Sequence, residues 1–457
     1  MRIIFMPIFH GHISRNVLMT DIFKILAGRP DLKIVIFTYD FKKDYYQKEF
    51  GRNNVIIEGI NDDVIPMTFL EKIFKFLFAC FADSPRAVMV FREIYEEDKK
   101  LVPYLARRLT TFIIGNSRFL RNLIRQLYYV AVRPKKVFVD FFDKYKPTAL
   151  FLPDITFSID NYLLRVAKEH DLPSITMLRS FDVLTSNKGT IRIKPDKLIV
   201  HNQFMKEMAV KYGDMKEKNI LVAGMPHFDY YVTDKPSPKE EFFQKMGLDP
   251  SKRVILFALT GPRTAGINQD IIKIISKAIN SGEIPQDIQL LVRMHPNSNK
   301  EEFEREKNAV FHRPEGIYFS QGRLTDMEFT KEWLQELLNT LYYSDITINP
   351  QSTMSIDATA FDKPVINLGF DGYERLPYIK SVRRLYDLEH YIPVIKTGGV
   401  RIVHSPEELI VWINRYLADS SIDKEGRKRI LEEQCYKFDG KSAARTAGCV
   451  LDFLRLI

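Results

Sequence analysis

Hydroxyl, amide and carboxylate side chains cluster where a short apolar run ends at Asn349. Gln351, Ser352 and Thr353 follow that run, and Asp357 lies about one helical turn further along. Ser and Thr cap helices well, and the free N–H groups at a helix start attract anions. The spacing therefore predicts a site for the diphosphate of a nucleotide. Asp357 is placed to accept hydrogen bonds from the ribose diol.

Basic side chains follow two further predicted strands of the same half of the chain. Arg263 comes after the strand predicted at 253–259, and Arg293 and His295 stand at the end of the strand predicted at 289–294. The carboxyl ends of parallel strands meet at one edge of a sheet, so we expect these three groups beside the same diphosphate. There they would neutralise the charge that develops on the leaving group.

The first half of the chain places other titratable groups after its own predicted strands. His10 and His12 follow a strand at 2–6, Asp154 follows a strand at 148–152, and Asp182 follows a strand at 173–177. These residue types act as general bases on hydroxyl groups, so we predict them as catalytic. For the two histidines, surface positions in a glycine turn are the open alternative.

The unit at 344–372 consists of a strand, a turn, a helix that ends at Lys363-Pro364, and a second strand. It resembles the donor half of GT-B glycosyltransferases of the surface-polysaccharide type, which are related to sugar-nucleotide 2-epimerases and polyol-phosphate transferases. Further matches to that group lie at His295-Pro-Asn297, Gly224 to Asp229, and Asp439 to Arg445. The resemblance implies an α/β protein with two Rossmann-like domains that face each other across a cleft. The donor nucleotide would be held mainly by the second domain.

The length of 457 residues, of which 45% are hydrophobic, is enough for two or three folded domains. We predict an N-terminal acceptor domain at 1–232 with a helical insertion at about 60–146. A linker-like Thr233 to Pro238 then opens a nucleotide-sugar donor domain at 233–440. From the resemblance, the helix at 441–457 is expected to cross back to the first domain.

The predicted insertion combines apolar and basic residues. Most of the formal net charge of +9 is concentrated in its second half. The basic residues between 101 and 146 are Arg107, Arg108, Arg118, Arg121, Arg125, Arg133, Lys135, Lys136, Lys144 and Lys146. Interleaved with aromatic and leucine side chains, they predict docking on an anionic membrane surface. RNA binding and simple packing of helices within the insertion are the alternatives, and no recognition signature for nucleic acid accompanies the charge.

The cellular setting follows from what the sequence lacks. The N-terminus has no signal-peptide core, and no apolar run of about eighteen residues would span a bilayer. Cys80, Cys435 and Cys449 form no disulfide or metal pattern. We therefore expect a cytoplasmic protein that is peripheral on the inner face of the cell membrane.

The predicted activity is transfer of a sugar from a nucleotide-diphosphate donor, such as a UDP-sugar, to an acceptor hydroxyl in cell-surface glycan synthesis. The sequence has no D-x-D motif, so we expect a metal-independent enzyme without a cofactor beyond the donor. The expected partners are the nucleotide-sugar, a glycan or lipid-linked acceptor and the membrane, with no nucleic acid. A glycerol- or ribitol-phosphate transferase and a sugar-nucleotide 2-epimerase are the alternatives.

Overall fold

The protein was analysed as a computed structural model, which describes residues 1–61, 66–186, 190–261, 265–295, 303–319 and 327–455. The chain divides into two compact units. The first unit comprises residues 1–229 and 441–457, and the second comprises residues 230–440. Each unit is built on its own parallel sheet. The predicted α/β class is therefore confirmed.

Seven parallel strands form the sheet of the first unit. They are β1 (Arg2–Pro7), β2 (Leu32–Tyr39), β3 (Val55–Ile60), β4 (Ala149–Leu152), β5 (Ser174–Met177), β6 (Lys197–Val200) and β7 (Ile220–Val222). Their order is β3-β2-β1-β4-β5-β6-β7. Strands covered on both faces read as continuous apolar runs, as in the fully buried β4. The strand order reverses beside β1, so the carboxyl ends of β1 and β4 mark a switch point.

Ten helices precede the second unit in the described chain. They are α1 (Gly11–Val17), α2 (Asp21–Ala27), α3 (Lys43–Phe50), α4 (Phe69–Ala79), α5 (Pro85–Asp98), α6 (Leu101–Gly115), α7 (Arg118–Ala131), α8 (Lys136–Tyr145), α9 (Ser158–Glu169) and α10 (Gln203–Lys211). Five of them, α4 to α8, lie between β3 and β4. The first of these starts at a reciprocal cap, in which Thr68 Oγ1 accepts from the Glu71 N–H and Glu71 Oε2 accepts from the Thr68 N–H.

The segment from Gly11 to Ala27 forms two helices rather than one continuous helix. The break lies at residues 18–20. Thr20 explains it, because its hydroxyl donates to the Asn16 carbonyl at 3.0 Å and accepts from the Ile22 N–H at 3.4 Å. A threonine hydroxyl that bonds to the backbone in this way ends one helix and caps the next.

The second unit has a six-stranded parallel sheet and a separate two-stranded antiparallel ribbon. The sheet contains β8 (Arg253–Ala258), β9 (Ile288–Arg293), β10 (Ala309–His312), β13 (Ile346–Asn349), β14 (Val365–Leu368) and β15 (Arg401–Val403), and the ribbon contains β11 (Ile317–Tyr318) and β12 (Met327–Glu328). The sheet order is β10-β9-β8-β13-β14-β15. It reverses beside β8, which places a second switch point at the carboxyl ends of β8 and β13.

The remaining helices belong to the second unit, except for the last one. They are α11 (Tyr230–Thr233), α12 (Lys239–Met246), α13 (Ala265–Ser281), α14 (Lys331–Tyr343), α15 (Met354–Thr359), α16 (Ile392–Lys396), α17 (Pro406–Ala418), α18 (Lys424–Cys435) and α19 (Ser442–Arg455). The last helix, α19, packs on α2 in the first unit. Its start is held by Asp229, whose carboxylate accepts from the N–H groups of Ser442 at 2.9 Å and Ala443 at 2.7 Å.

Two arginines of α7 are structural, which corrects part of the prediction for the basic segment. Arg121 and Arg125 are 5% and 6% exposed, and both donate to the carboxylate of the buried Asp214. Arg125 also donates to the carbonyls of Ile191 and Gly213. Side chains bound in this way cannot face a membrane. The exposed cation of this helix is Arg118, whose side chain is 64% exposed.

Candidate functional site

The predicted donor-side residues of the described chain lie at the carboxyl edge of the second sheet. His295 follows β9 by two residues, and Gln351, Ser352 and Thr353 follow β13. Because β13 adjoins β8 at the switch point, these loops lie where open parallel sheets bind ligands. Arg263 falls outside the described residues, as do Pro296 and Asn297.

The turn after β13 is short and exposes its hydroxyl groups. Ser352 Oγ accepts from the Met354 N–H at 3.1 Å, and Thr353 is exposed. The helix that follows, α15, has six residues, so it contributes only a small dipole. The hydroxyl and amide side chains of the turn are therefore the stronger means of binding a phosphate here.

A buried polar network fixes this turn to the sheet. Asn349 at the end of β13 donates to Ser355 Oγ at 3.0 Å, and Asn367 of β14 donates to the same hydroxyl at 3.0 Å. The Tyr391 hydroxyl donates to Asn367 Oδ1 at 2.7 Å. All four residues are buried. A network satisfied in this way holds the loop in one conformation, which prepares it to bind a ligand.

Gln351 is oriented by a histidine that the sequence reasoning missed. Its Nε2 lies 3.1 Å from Nε2 of His390, a residue that is 2% exposed. His390 directly precedes Tyr391 of the buried network in the chain. The segment that contains both residues therefore contacts the turn after β13 through Gln351 and strand β14 through Asn367. The pairing joins residues 39 positions apart, and no local pattern in the sequence indicates it.

Asp357, the predicted ribose ligand, is 6% exposed and accepts a hydrogen bond at Oδ1 from the Tyr231 hydroxyl at 2.9 Å. The tyrosine is itself buried and packs edge-on against Phe361. Asp357 is therefore held in a defined orientation by a neighbour in the second unit. Its contact with a ribose stays a prediction.

Arg293 belongs to a buried ionic group. It is 6% exposed, donates to Glu336 Oε1 at 2.9 Å, and lies 5.5 Å from the ring centre of Trp333. His312 Nε2 stands 2.8 Å from the same carboxylate oxygen. Burial raises the pKa of Glu336, but His312 and Arg293 outweigh it and hold that pKa below its usual value. Glu336 thus offsets much of the positive charge of Arg293, which the sequence predicts to lie beside a diphosphate.

His295 is half-buried, and burial lowers the pKa of its imidazole. The ring is consequently neutral near pH 7. A neutral imidazole cannot offset the charge of a diphosphate, but it can donate one hydrogen bond to a phosphate oxygen. This refines the role that the sequence suggests for His295.

In the first unit, Phe157 and Arg179 connect His10 to Asp154 at the β1/β4 switch point. The His10 and Phe157 ring centres are 3.6 Å apart, and the Arg179 guanidinium lies 4.6 Å from the same phenyl ring. Arg179 donates to Asp154 Oδ2 at 3.1 Å, and Thr156 donates to that oxygen at 2.5 Å. His10 and Asp154 are 6% and 1% exposed. Burial, with help from nearby cations, lowers the pKa of His10 to about 3.

Asp160 is an acidic residue of this cluster that the sequence reasoning missed. It lies in the first turn of α9 and is 1% exposed, and neither carboxylate oxygen has a hydrogen-bond partner among the described residues. Burial, followed by the charge of Asp154, raises the pKa of Asp160 well above its usual value. Burial thus favours the protonated form of Asp160 over the ionised form. No local pattern in the sequence distinguishes Asp160, because acidic residues are common in the first turn of a helix.

Asp182 and His12 are the more accessible of the predicted bases. The side chain of Asp182 is 29% exposed, accepts from Arg86 of α5 at 2.5 Å, and accepts from the Ser180 hydroxyl at 2.6 Å. His12 is exposed on α1. The structure thus brings His10 and Asp154 together in a buried cluster, whereas Asp182 is tied to a helix of the segment between β3 and β4.

Within the described ranges, no group of three or more His, Cys, Asp or Glu side chains is placed to hold a metal ion. Metal independence stays a prediction.

A family model described as CDP-glycerol:poly(glycerophosphate) glycerophosphotransferase matches residues 185–452. This range is more than half of the chain and includes the whole second unit. The chain belongs to this glycerophosphotransferase family. Among proteins of curated function, none matches the chain. The predicted relation to GT-B proteins of surface-polymer synthesis is thereby confirmed, and the protein is a transferase.

Solved structures of the same fold cover nearly the whole chain. The UDP-GlcNAc 2-epimerase from Methanocaldococcus jannaschii has a TM-score of 0.55 at 14% identity, with coverage of 99% of this chain and 100% of the other. The Neisseria meningitidis UDP-GlcNAc 2-epimerase bound to UDP-GlcNAc has a TM-score of 0.54 at 11% identity, with the same coverage. The wall teichoic acid polymerase TagF has a TM-score of 0.50 at 13% identity, covering 99% of this chain and 89% of its own. Such low identities establish the fold alone.

Proposed function

We propose that the protein transfers glycerol phosphate, or a closely related polyol phosphate, from a cytidine-diphosphate-activated donor to a hydroxyl of a cell-surface polymer. The observation that carries this proposal is the family match over residues 185–452, which includes every described donor-side residue. The sequence alone favours sugar transfer, with polyol-phosphate transfer as an alternative. The family description favours that alternative.

The two reactions differ in the bond that breaks. In polyol-phosphate transfer the acceptor oxygen attacks the phosphorus that carries the polyol, and the bond from this phosphorus to the bridging oxygen breaks. The bonding electrons leave with CMP, and the acceptor proton passes to a base. In sugar transfer the acceptor oxygen attacks the sugar carbon, and a nucleoside diphosphate leaves. The released nucleotide therefore distinguishes the two activities.

The donor side of this proposal rests on neutral hydrogen-bond donors. Ser352, Thr353 and Gln351 stand at the carboxyl end of β13, and His295 follows β9 with a neutral ring. Donors of this kind, held in place before the reaction, stabilise charge that develops on a leaving phosphate. Asp357, oriented by Tyr231, supplies an acceptor for a ribose hydroxyl.

On the acceptor side, the four predicted bases differ in how far their side chains are exposed to solvent. His10 and Asp154 are almost fully buried, so we assign them to positioning, together with Arg179. His12 is exposed and Asp182 is 29% exposed, so these two are the proposed bases. A base must reach the acceptor hydroxyl within hydrogen-bond distance, directly or through one water.

Thermal-shift titration tests the donor assignment. CDP-glycerol and CDP-ribitol should stabilise the protein more strongly than UDP, GDP or UDP-sugars, because ligand that binds only the folded state raises its stability. Stronger stabilisation by a UDP- or GDP-sugar would favour sugar transfer instead.

A matched pair of variants locates the site. Ser352→Ala with Thr353→Val removes two hydroxyl groups, so CDP-glycerol affinity should fall by about tenfold or more, given roughly 1 kcal/mol for each hydrogen bond. Ser420→Ala, at an exposed position after α17, is the control and should bind normally. Unchanged affinity in the double variant would place the donor site elsewhere.

We also propose that helices α4, α6 and α7 dock the enzyme on a membrane. These helices pack together, α4 and α6 each against α7. Their exposed apolar residues recur at helical spacing and include Phe69, Ile73 and Phe76 of α4, Val102, Leu105, Leu109 and Phe112 of α6, and Phe119, Leu123, Leu127 and Val130 of α7. Amphipathic helices with such faces lie in the membrane interface. Among the described residues, no helix has the length and apolar character needed to cross a bilayer.

Several basic residues of this segment are paired with carboxylates, so we expect apolar contact to contribute much of the membrane affinity. Arg121 and Arg125 are bound by Asp214, Arg108 pairs with Asp83, and Lys135 pairs with Glu71. Replacing Val102, Leu105 and Leu109 together by Ser should therefore reduce co-sedimentation with anionic vesicles strongly. The control is Val411→Ser, at a residue that is 46% exposed in the second unit. Full pelleting of the triple variant would refute docking through α6.

A further inference from the structure

A cavity of about 250 Å³ opens between α4, α5 and α6. Lys72 and Lys75 of α4 and Arg107 of α6 contribute its positive charge. Phe76 of α4 and Phe91 of α5 contribute aromatic walls. No residue of this cavity belongs to the donor or acceptor site described above, so the proposed transfer reaction does not account for it.

The three cations have no carboxylate partner in the part of the chain that the structure describes. Other basic residues of the same helices are paired, such as Arg108 with Asp83 and Arg125 with Asp214. Three like charges that converge on one opening repel one another, and a bound anion would relieve that repulsion. The cavity is therefore complementary in charge to an anion.

Arg107 is held in place by two aromatic rings. Its guanidinium carbon lies 5.6 Å from the ring centre of Phe76 and 5.2 Å from that of Phe91. Both contacts are in the range of cation–π attraction. The guanidinium is thus oriented before any ligand arrives, and a planar fork of N–H donors suits phosphate oxygens.

We infer that this cavity binds the phosphate of an anionic phospholipid headgroup. Its volume is below the roughly 300–1,000 Å³ of pockets for larger ligands, but it is ample for a phosphodiester. Residues that lie close in the chain to the lining of the cavity are exposed and apolar, namely Phe69 and Ile73 on α4 and Leu105 and Leu109 on α6. These side chains suit the acyl region beside a headgroup. The inference rests on the proposed membrane docking and gives that docking a specific lipid site.

Vesicle co-sedimentation with the full-length protein tests this site. Lys72→Gln with Lys75→Gln removes two charges at exposed positions, so folding should be preserved. Each charge-assisted hydrogen bond to a bound phosphate contributes a factor of about ten or more to binding, so loss of the pair should weaken binding to phosphatidylglycerol vesicles by about 100-fold or more. The matched control is Lys100→Gln with Arg133→Gln, which removes the same charge from exposed positions outside the cavity. The control loses only the general attraction of a cation to an anionic surface, so it should weaken binding by about 25-fold at most.

The outcomes separate the site from the docking proposal. Equal losses in the two double variants, or no loss in Lys72→Gln with Lys75→Gln, would overturn the site while leaving docking intact. Absence of wild-type pelleting with any vesicle would refute docking itself, and the site with it. RNA that displaces the protein from vesicles through the same two lysines would also overturn the assignment to lipid.

A second measurement distinguishes a lipid headgroup from a free phosphate. Inorganic phosphate and glycerol phosphate are added to the wild-type protein and to Lys72→Gln with Lys75→Gln, and melting temperatures are recorded. The lipid assignment predicts no lysine-dependent shift at millimolar concentrations, because binding also requires the apolar contact of the bilayer. A shift in the wild type that the variant loses would assign the cavity to a soluble phosphate and contradict the inference.

Discussion

Replacement of Asp214 by Asn should destabilise the first unit far more than a surface substitution would. Asp214 is 3% exposed, and its two carboxylate oxygens accept from Arg121 at 2.6 and 2.9 Å and from Arg125 at 2.6 Å. The backbone at Asp214 has φ of 55°, in the left-handed region. Asn tolerates that region as well as Asp does, so the substitution removes charge without backbone strain.

The magnitude follows from the two arginines that remain. Removing one partner of a buried ion pair costs about 3–5 kcal/mol, because a buried charge is left uncompensated. For a unit of this size each kcal/mol corresponds to about 2–4 °C, so we expect the melting temperature to fall by about 10 °C. Arg118→Gln is the control, because the Arg118 side chain is 64% exposed and 3.9 Å from Asp214. It should cost at most about 1 kcal/mol.

Acid unfolding gives a second readout of the same interaction. Burial raises the pKa of Asp214, but hydrogen bonds from Arg121 and Arg125 outweigh it and hold that pKa below its usual value. The stabilisation is therefore complete above the ordinary Asp pKa of about 3.9 and is lost as pH falls through the folded-state pKa. The Asn variant should lack this part of the acid transition. Circular dichroism melts of the two proteins at pH 3 to 7 measure both effects, and equal stability of wild type and variant would refute a structural role for the arginines.

Two further predictions concern the proposed sites. His295→Gln keeps a side-chain donor and should retain CDP-glycerol affinity within about threefold, whereas His295→Ala should lose roughly fivefold to tenfold in affinity. If the affinity of the wild-type protein rises as pH falls from 8 to 6.5, the imidazole of His295 is cationic in the complex. That result would contradict the neutral imidazole proposed above. Asp160→Asn should gain stability relative to wild type as pH rises from the ordinary Asp pKa of about 3.9 towards the raised folded-state pKa, by up to about 1.4 kcal/mol per pH unit. The reason is that the folded carboxyl, whose pKa is raised by burial, stays protonated while the unfolded one ionises. A constant difference in melting temperature across that range would show that Asp160 is ionised in the folded state.

The parallel sheets were largely predictable because their strands are buried on both faces. Continuous apolar runs such as Leu150 to Leu152 and Ile255 to Phe257 indicate fully buried strands in an alternating α/β chain. The sheet-edge strand β10 has no counterpart among the predicted strands, and its four residues are only partly buried. A half-buried edge strand carries a weak apolar pattern, which explains the miss.

The side-chain environments were less predictable, because they depend on partners far away in the chain. Arg121 and Arg125 read as a basic amphipathic stretch, and their partner Asp214 lies about 90 positions later. The support of Gln351 by His390 is of the same kind. The positions of Ser352 and Thr353 after β13 were predictable, because a polar turn after a buried strand is a local pattern.

The central claim is polyol-phosphate transfer, and the identity of the released nucleotide tests it most directly. The purified protein would be incubated with CDP-glycerol and a glycerol-phosphate polymer primer, and the nucleotide products would be separated by ion-exchange chromatography. Growth of the primer with stoichiometric CMP is the predicted result. Ser352→Ala with Thr353→Val should slow CMP release, whereas Ser420→Ala should not. No turnover of CDP-polyols, together with release of a nucleoside diphosphate from a nucleotide-sugar, would contradict the claim and identify a glycosyltransferase.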